Sequence, residues 1–169
     1  MKFAFFLQRK NNVNKRLFLI PYALCILLIN NNILYSHQFE IGEISINHPY
    51  IRFEVSSGPA AGYMTIVNRG KQLDRLIKVE SSFAEKVELH QTRFNDDQVM
   101  MKKTLHIDIQ PEKAQLLKPD GYHIMFTNLK KKLIEGENLN VILQFERAGQ
   151  IEVIFTVEGF SESLEQTSH

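Results

Sequence analysis

The sequence predicts an all-β fold, a sandwich or barrel, for one domain that follows a leader of 36 residues. Short apolar or alternating runs recur about every 8–12 residues, as in β-sandwiches and barrels. The length of 169 residues suits a single domain. The clearest strand is 150–157, where Ile151, Val153, Phe155 and Val157 take alternate positions. A period of two is typical of a strand with one buried face.

The predicted strands are separated by glycine, proline, asparagine and aspartate, which favour turns. Ser57-Gly58-Pro59 and Pro119-Asp120-Gly121 are examples. Residues 82–87 (SFAEKV) fit a single helical turn, where Glu85 and Glu88 would be a solvated carboxylate pair. The predicted strands are, in chain order, Phe39–Ile46, Tyr50–Val55, Tyr63–Asn68, Leu73–Ser81, Val87–Phe94, Leu105–Ile109, Gln115–Leu117, Tyr122–Thr127, Asn138–Glu146 and Gln150–Val157.

Residues 1–36 have the layout of a secretory signal peptide. Five basic residues and no acidic residue accompany the apolar run Leu17–Ile29, whose 13 residues are interrupted by Pro21. A membrane span needs about 20 apolar residues, so the run is too short for an ordinary transmembrane helix. We expect export to the periplasm with cleavage after Ser36, and an uncleaved inner-membrane anchor is the alternative. The domain would then be 37–160, followed by a polar, frayed tail at 161–169.

Removal of the leader changes the charge and the redox chemistry of the protein. The full chain has a net charge of +1 and one cysteine, Cys25. The remaining 133 residues keep all 19 acidic residues but 15 basic ones, so their net charge is −4, and they contain no thiol. An internal disulfide, a CxxC pair and a blue-copper site with a Cys ligand are therefore excluded. Nucleic-acid binding through bulk positive charge is not expected either.

His123 and Met125 form a His-x-Met step within a predicted strand. Side chains two positions apart in a strand point to the same face, so an imidazole and a thioether would lie side by side. His90 ends the VELH run of another strand. Met101 follows a turn at 95–97, and a hairpin there would bring it back alongside His90.

Two imidazoles and two thioethers are a donor set for copper. Thioether sulfur is soft and suits Cu(I), whereas it is a poor ligand for Mg, Ca or Zn. Neither ligand type forms disulfides in an oxidising compartment. Taken singly, however, methionine is a common core residue, and a histidine in a β-protein is more often a hydrogen-bonded structural residue. Spacing and composition alone therefore leave both interpretations open.

The spacing from His90 to Met125 reads H-x10-M-x21-H-x-M. Together with AAGYMTIVN at 60–68, PDGYHIMF at 119–126 and LQFERAGQIEV at 143–153, it resembles the periplasmic PCu(A)C copper chaperones. The resemblance extends over residues 41–157.

The resemblance implies a cupredoxin-like Greek-key β-barrel that binds one Cu(I) per monomer through His90, Met101, His123 and Met125. The copper would go to the CuA centre of cytochrome c oxidase, either directly to subunit II or through a Sco-type protein. Met100 is an alternate ligand, because relatives often space two methionines as M-x-M, whereas here they are adjacent. A second, C-terminal copper site is not expected, since His169 stands there without methionine.

Other functions and residues have simpler interpretations. The chain has no Ser/His/Asp arrangement, phosphate loop or HExxH motif, so we expect a binding protein and not an enzyme. The alternative functions are an exported interaction module without metal and a copper resistance or redox protein. His48 and His106 are predicted at the surface, and Lys130–Lys132 as a solvated loop or a docking patch for an acidic partner. His37 would chelate Cu(II) only if it became the N-terminus.

Overall fold

The computed structural model of the protein describes residues 38–95 and 98–159. The expectations for the leader, Cys25, His37 and the tail at 161–169 concern residues outside these ranges. Within them, no helix is long and apolar enough to cross a membrane. The strands are β1 (Gln38–Ile41), β2 (Ile44–Phe53), β3 (Ala60–Asn68), β4 (Asp74–Ser81), β5 (Ala84–Asn95), β6 (Gln98–Thr104), β7 (Ile107–Ile109), β8 (Lys113–Leu117), β9 (Tyr122–Leu129), β10 (Asn138–Phe145) and β11 (Gly149–Glu158).

The all-β prediction is confirmed, and the strands join in one hydrogen-bonded order, β6-β5-β9-β8-β3-β2-β11-β10-β4-β7. β1 pairs with β2, and β9 also pairs with β3. Because β4 lies against β5 and β7 against β8, strands from distant parts of this order come together, and the sheet encloses one core. Alternate residues of β11, namely Val153, Phe155 and Val157, are buried in that core as the sequence pattern predicts.

The predicted strand Phe39–Ile46 is wrong, because a hairpin divides it into β1 and β2. The turn contains Gly42 at φ 55°, a left-handed conformation that glycine adopts without strain. β2 then continues through His48 and Pro49, where the sequence suggested a break. The register with β3 shifts between Asn47 and Tyr50, so a β-bulge accommodates the extra residues.

The helical turn predicted at 82–87 is also wrong. β5 already begins at Ala84. Phe83 and Ala84 are buried, and the Phe83 ring packs 4.9 Å from that of Phe126, centroid to centroid. Aromatic packing in the core therefore decides the conformation of this segment over its local helix propensity.

β6 is a strand that the sequence pattern does not predict. It pairs in antiparallel register with β5 alone and lies at the end of the strand order. All its residues except Thr104 are exposed, so it lacks the alternating burial by which strands are recognised in a sequence. The predicted hairpin that returns Met101 towards β5 is present.

Candidate metal centre

The register of β5 and β9 brings two histidines together. His90 lies directly opposite His123, and Glu88 lies opposite Met125. Opposite residues in an antiparallel pair share a face, and so do residues two apart. Both rings, Glu88 and Met125 therefore project from one face. The His90 and His123 ring centroids are 5.7 Å apart in an edge-on arrangement.

The pairing of β5 with β6 decides which methionine joins this face. Met101 lies opposite Thr92, two residues after His90, and therefore on the His90 side of the sheet. Met100 lies opposite Arg93 and projects from the other side. The structure thus brings Met101, and not Met100, to the face that carries His90, His123 and Met125, which we call the His/Met face.

Met101 and Met125 both line one cavity of about 350 Å³, whose wall also includes Ala61, Tyr63 and Arg52. Exposure is graded across the His/Met face. His123 is 1% exposed and Met101 is 60% exposed. The side chain of His90 is intermediate, at 17%. Solvent therefore reaches the thioether side of the group, while the imidazole side is enclosed by protein.

The hydrogen bonding of His123 defines which of its nitrogens is free. Nδ1 lies 3.2 Å from the carbonyl oxygen of Gly121, which can only accept a hydrogen bond. In the neutral ring Nδ1 therefore carries the hydrogen, and Nε2 keeps a lone pair. Nε2 is buried and has no hydrogen-bond partner among residues 38–95 and 98–159. Burial lowers the pKa of His123; the Gly121 contact opposes this shift and nearby His90 adds to it. The ring is thus kept neutral at physiological pH.

His90 has the complementary arrangement. Its Nε2 lies 3.4 Å from Oε2 of Glu88, and its Nδ1 is buried without a partner in the part of the chain that the structure describes. Hydrogen bonds from Lys103 and Lys86 lower the pKa of Glu88 to about 2, so this carboxylate is ionised and can only accept. The hydrogen of the neutral ring is then on Nε2, and Nδ1 keeps the lone pair.

Each histidine therefore has one ring nitrogen bonded to an acceptor and one buried nitrogen with a free lone pair. Buried polar atoms without a partner are uncommon in folded proteins, and each one calls for an explanation. A soft metal ion bound to both nitrogens would provide the missing partner, and Met101 and Met125 carry the sulfur ligands that Cu(I) favours. Within 38–95 and 98–159, no three His, Cys, Asp or Glu side chains group as a metal site.

Sequence reasoning missed Glu88, which it treated as half of a solvated pair with Glu85. That interpretation is wrong, because Glu88 lies on β5 and its side chain is only 13% exposed. The sequence feature that could have identified Glu88 is the E-x-H spacing within a strand, which puts Glu88 on the same face as His90. Tyr63, whose ring centroid is 6.5 Å from that of His123, was missed because β3 and β9 pair in the sheet but lie far apart in the chain.

The other residues singled out in the sequence lie at the surface. His48 has a side chain that is 76% exposed, 3.5 Å from Glu158. His106 is exposed and 3.5 Å from Asp108. Lys130–Lys132 are exposed, and the amine of Lys131 forms an ion pair with Glu137. The surface positions predicted for the two histidines are confirmed, and none of these residues belongs to the His/Met face.

The profile of the family described as "Putative lipoprotein LpqE-like" matches residues 44–157 of the chain. The chain belongs to this family. Its match includes every residue of the His/Met face and nearly the whole described sheet. Among curated proteins, no sequence matches significantly.

Solved structures of PCuAC domains share the fold. The copper-bound PCuAC domain from PmoF2 is 27% identical, with a TM-score of 0.63, and the match covers 73% of this chain and 98% of that one. For the Cu(I) form of DR1885 from Deinococcus radiodurans the identity is 23%, the TM-score 0.57, and the coverage 73% and 81%. The family resemblance found in the sequence is thereby confirmed.

Proposed function

We propose that this LpqE-like protein is a copper carrier that binds one Cu(I) through His90 Nδ1, His123 Nε2 and the sulfurs of Met101 and Met125. The observation that carries the proposal is the pair of buried ring nitrogens that have no partner among the described residues, on the face that also carries two thioethers. The similarity to the copper-bound domain from PmoF2 supports the choice of metal.

The graded exposure of the His/Met face fits a carrier. A carrier must retain its cargo and still release it when a recipient offers ligands. The enclosed imidazoles would hold Cu(I) in place, and the open thioether of Met101 would be displaced first by an incoming ligand. Imidazole binds a metal in its neutral form and thioether sulfur does not titrate, so the proposed ligands bring no charge to Cu(I). Two thioethers also favour Cu(I) over Cu(II), which argues against a redox role.

We further propose that the protein works in the periplasm after export and delivers copper for the CuA centre of cytochrome c oxidase. The recipient would be subunit II itself or a Sco-type assembly protein. The resemblance to periplasmic copper chaperones and the signal-like leader support this proposal. So does the lack of thiols in the domain, since a His/Met carrier needs no reductant in an oxidising compartment.

Competition with a chromogenic Cu(I) chelator tests the binding site. We expect one Cu(I) per chain in the wild type. The double variant His123→Ala/Met125→Ala should lose more than about 100-fold in affinity, beyond the range reported for outer-shell partners. The matched control is His106→Ala/Met100→Ala, which removes one imidazole and one thioether outside the His/Met face. Equal affinities for wild type and His123→Ala/Met125→Ala would contradict the site.

Copper transfer tests the recipient. The Cu(I)-loaded protein is mixed with the soluble CuA domain of subunit II, with and without a reduced Sco-type protein. Two Cu(I) per domain give the colourless reduced centre, so a one-electron oxidant such as ferricyanide is added after the transfer, and the absorption of the mixed-valence CuA centre is then read. We expect CuA to form in at least one mixture. Copper that stays on the carrier in both mixtures, yet is removed by the chelator, would contradict the proposed recipients without affecting the binding site.

A further inference from the structure

We propose that Glu88 is a positioning residue for the metal centre. Its carboxylate fixes the His90 ring in the tautomer that leaves Nδ1 free, and it ties that ring to the strand that carries Met101. This inference rests on the proposed function, because the free Nδ1 is the atom assigned to Cu(I).

Both oxygens of Glu88 are engaged. Oε1 accepts a hydrogen bond from Nζ of Lys103 at 2.7 Å. Oε2 lies 2.9 Å from Nζ of Lys86 and 3.4 Å from Nε2 of His90. The carboxylate lies between the two lysines and the ring, and its own side chain is largely buried.

The contact with Nε2 has a direct consequence for the ring. A histidine that binds a metal through one nitrogen commonly donates the other N–H to a carboxylate or carbonyl, which fixes its orientation and tautomer. Glu88 provides this acceptor for His90, as the carbonyl of Gly121 does for His123. Without Glu88, both nitrogens of His90 would lack an acceptor, and the ring would be free to flip or change tautomer.

The contact with Lys103 links the two strands. Lys103 lies on β6 two residues after Met101, so both side chains project from the His/Met face. Among the described strands, the backbone of β6 pairs only with β5, at the edge of the sheet. The Lys103–Glu88 ion pair adds a side-chain connection on the same face, and one carboxylate thereby positions both His90 and the strand of Met101.

The two ammonium groups also explain why Glu88 acts as an acceptor and not as a further metal ligand. Each oxygen already faces a lysine, and the oxygen that contacts His90 is on the Nε2 side of the ring. The donor set of the metal therefore stays neutral and soft, which suits Cu(I).

Imidazole tautomers in the metal-free protein give a readout that does not depend on copper. Long-range 1H–15N NMR at mildly alkaline pH identifies the protonated nitrogen of each ring. We expect Nε2–H for His90 and Nδ1–H for His123 in the wild type. An Nδ1–H tautomer for His90 in the wild type would overturn the inference, whatever any variant does.

Three variants then separate positioning from a structural role. In Glu88→Leu, which fills the space without an acceptor, we expect mixed His90 tautomers and a Cu(I) affinity lowered about 10- to 100-fold, the range for such partners. Glu88→Gln keeps an acceptor oxygen, so it should retain the Nε2–H tautomer and lose less affinity. The control Glu80→Gln removes an exposed carboxylate that also pairs with a lysine two residues away, and it should match the wild type.

A folded Glu88→Leu protein with the wild-type tautomer and an affinity within twofold of the wild type would also overturn the inference. If the wild type itself bound no Cu(I), the proposed function would fail, while the tautomers would still decide whether Glu88 orients His90.

Discussion

Two buried polar clusters in this protein differ in whether their hydrogen bonds are complete. In the first, Asp74 is 4% exposed and accepts hydrogen bonds from the backbone N–H groups of Arg75, Arg147 and Ala148, at 2.7–2.9 Å. Neighbouring Asn68 is likewise buried. Its amide donates to the carbonyls of Gln72 and Ile109, and its oxygen accepts from Gly70.

In the second cluster, on the His/Met face, His90 and His123 each keep a buried nitrogen for which the described residues provide no partner. A buried polar group with all its partners stabilises the fold, and one that lacks a partner reduces stability unless something binds it. The comparison teaches that the hydrogen bonds of the Asp74 cluster are complete within the fold, whereas the His/Met face leaves two ring nitrogens open, which the proposed function assigns to Cu(I).

The largest expected effect is on the scaffold cluster. Asp74→Ala should lower the free energy of unfolding by about 3 kcal/mol, because backbone donors at a largely buried position lose their acceptor. The Cu(I) affinity of the folded fraction should stay unchanged. Urea unfolding and chelator competition measure the two quantities.

The control is Asp108→Ala, which removes an exposed carboxylate that pairs with Arg75 on the neighbouring strand. It should cost less than about 1 kcal/mol, as is usual for surface ion pairs. If Asp74→Ala were as mild as this control, the contrast between the two clusters would be lost.

The next largest expected effect is the stabilisation of the folded state by Cu(I) bound at the His/Met face. Cu(I) at a free concentration of 100 times its Kd should stabilise the wild type by about 2.7 kcal/mol, since the ion binds only the folded state. His123→Ala should abolish most of this gain. Thermal unfolding with and without buffered Cu(I) tests both. A gain that persists in His123→Ala would place the copper elsewhere.

A smaller effect distinguishes the two adjacent methionines. Met101→Ala should lower the Cu(I) affinity at least about tenfold, or about 1.4 kcal/mol. Met100→Ala should leave it nearly unchanged, because Met100 projects from the opposite side of the sheet. The reverse order, measured by chelator competition, would show that β6 shifts its register when the metal binds.

The smallest expected effect is the pH dependence of the free energy of unfolding of the metal-free protein. Burial lowers the pKa of His123 in the folded state, so the unfolded state binds more protons below about pH 6.5. This contribution to stability is present above that pH and is lost as the pH falls through the folded-state pKa. Urea unfolding at several pH values should show the loss, and His123→Gln should reduce it. If the free energy of unfolding depended on pH equally in His106→Gln and His123→Gln, His123 would not be the cause of the loss.

The sequence predicted the fold class and most strands because their alternation is strong and their turns carry typical residues. The prediction of strands failed where contacts between residues distant in the chain determine the local structure. Phe83 packs on Phe126, which is distant in the chain, and this contact makes a strand of a segment with helix-like composition. Gly42 looked like a strand residue because nothing in a single sequence distinguishes a tight hairpin turn from a bulge at an isolated glycine.

For the site, spacing drew attention to the four residues that the structure gathers on the His/Met face, and the family resemblance implied that they are ligands. The choice between Met100 and Met101 stayed open in the sequence, because it depends on the register of β6 with β5, and the sequence pattern does not predict β6. The hydrogen-bond acceptors follow only in part from the sequence, since E-x-H spacing puts Glu88 on the His90 face but does not show what its carboxylate contacts. Gly121 acts through its backbone carbonyl, and Glu88 acts through a network with Lys103 that exists only when β6 lies against β5.

The edge position of β6 has a consequence for how the site opens. The strand contributes no buried side chain to the core, and it is held by one ladder with β5 and by the Lys103–Glu88 contact. Segments with few buried contacts unfold locally at a small fraction of the global free energy. Fraying of β6 would carry Met101 away while β5 and β9 keep both imidazoles in register. Copper release would then require only local unfolding at one edge of the sheet, and the rest of the protein would stay folded.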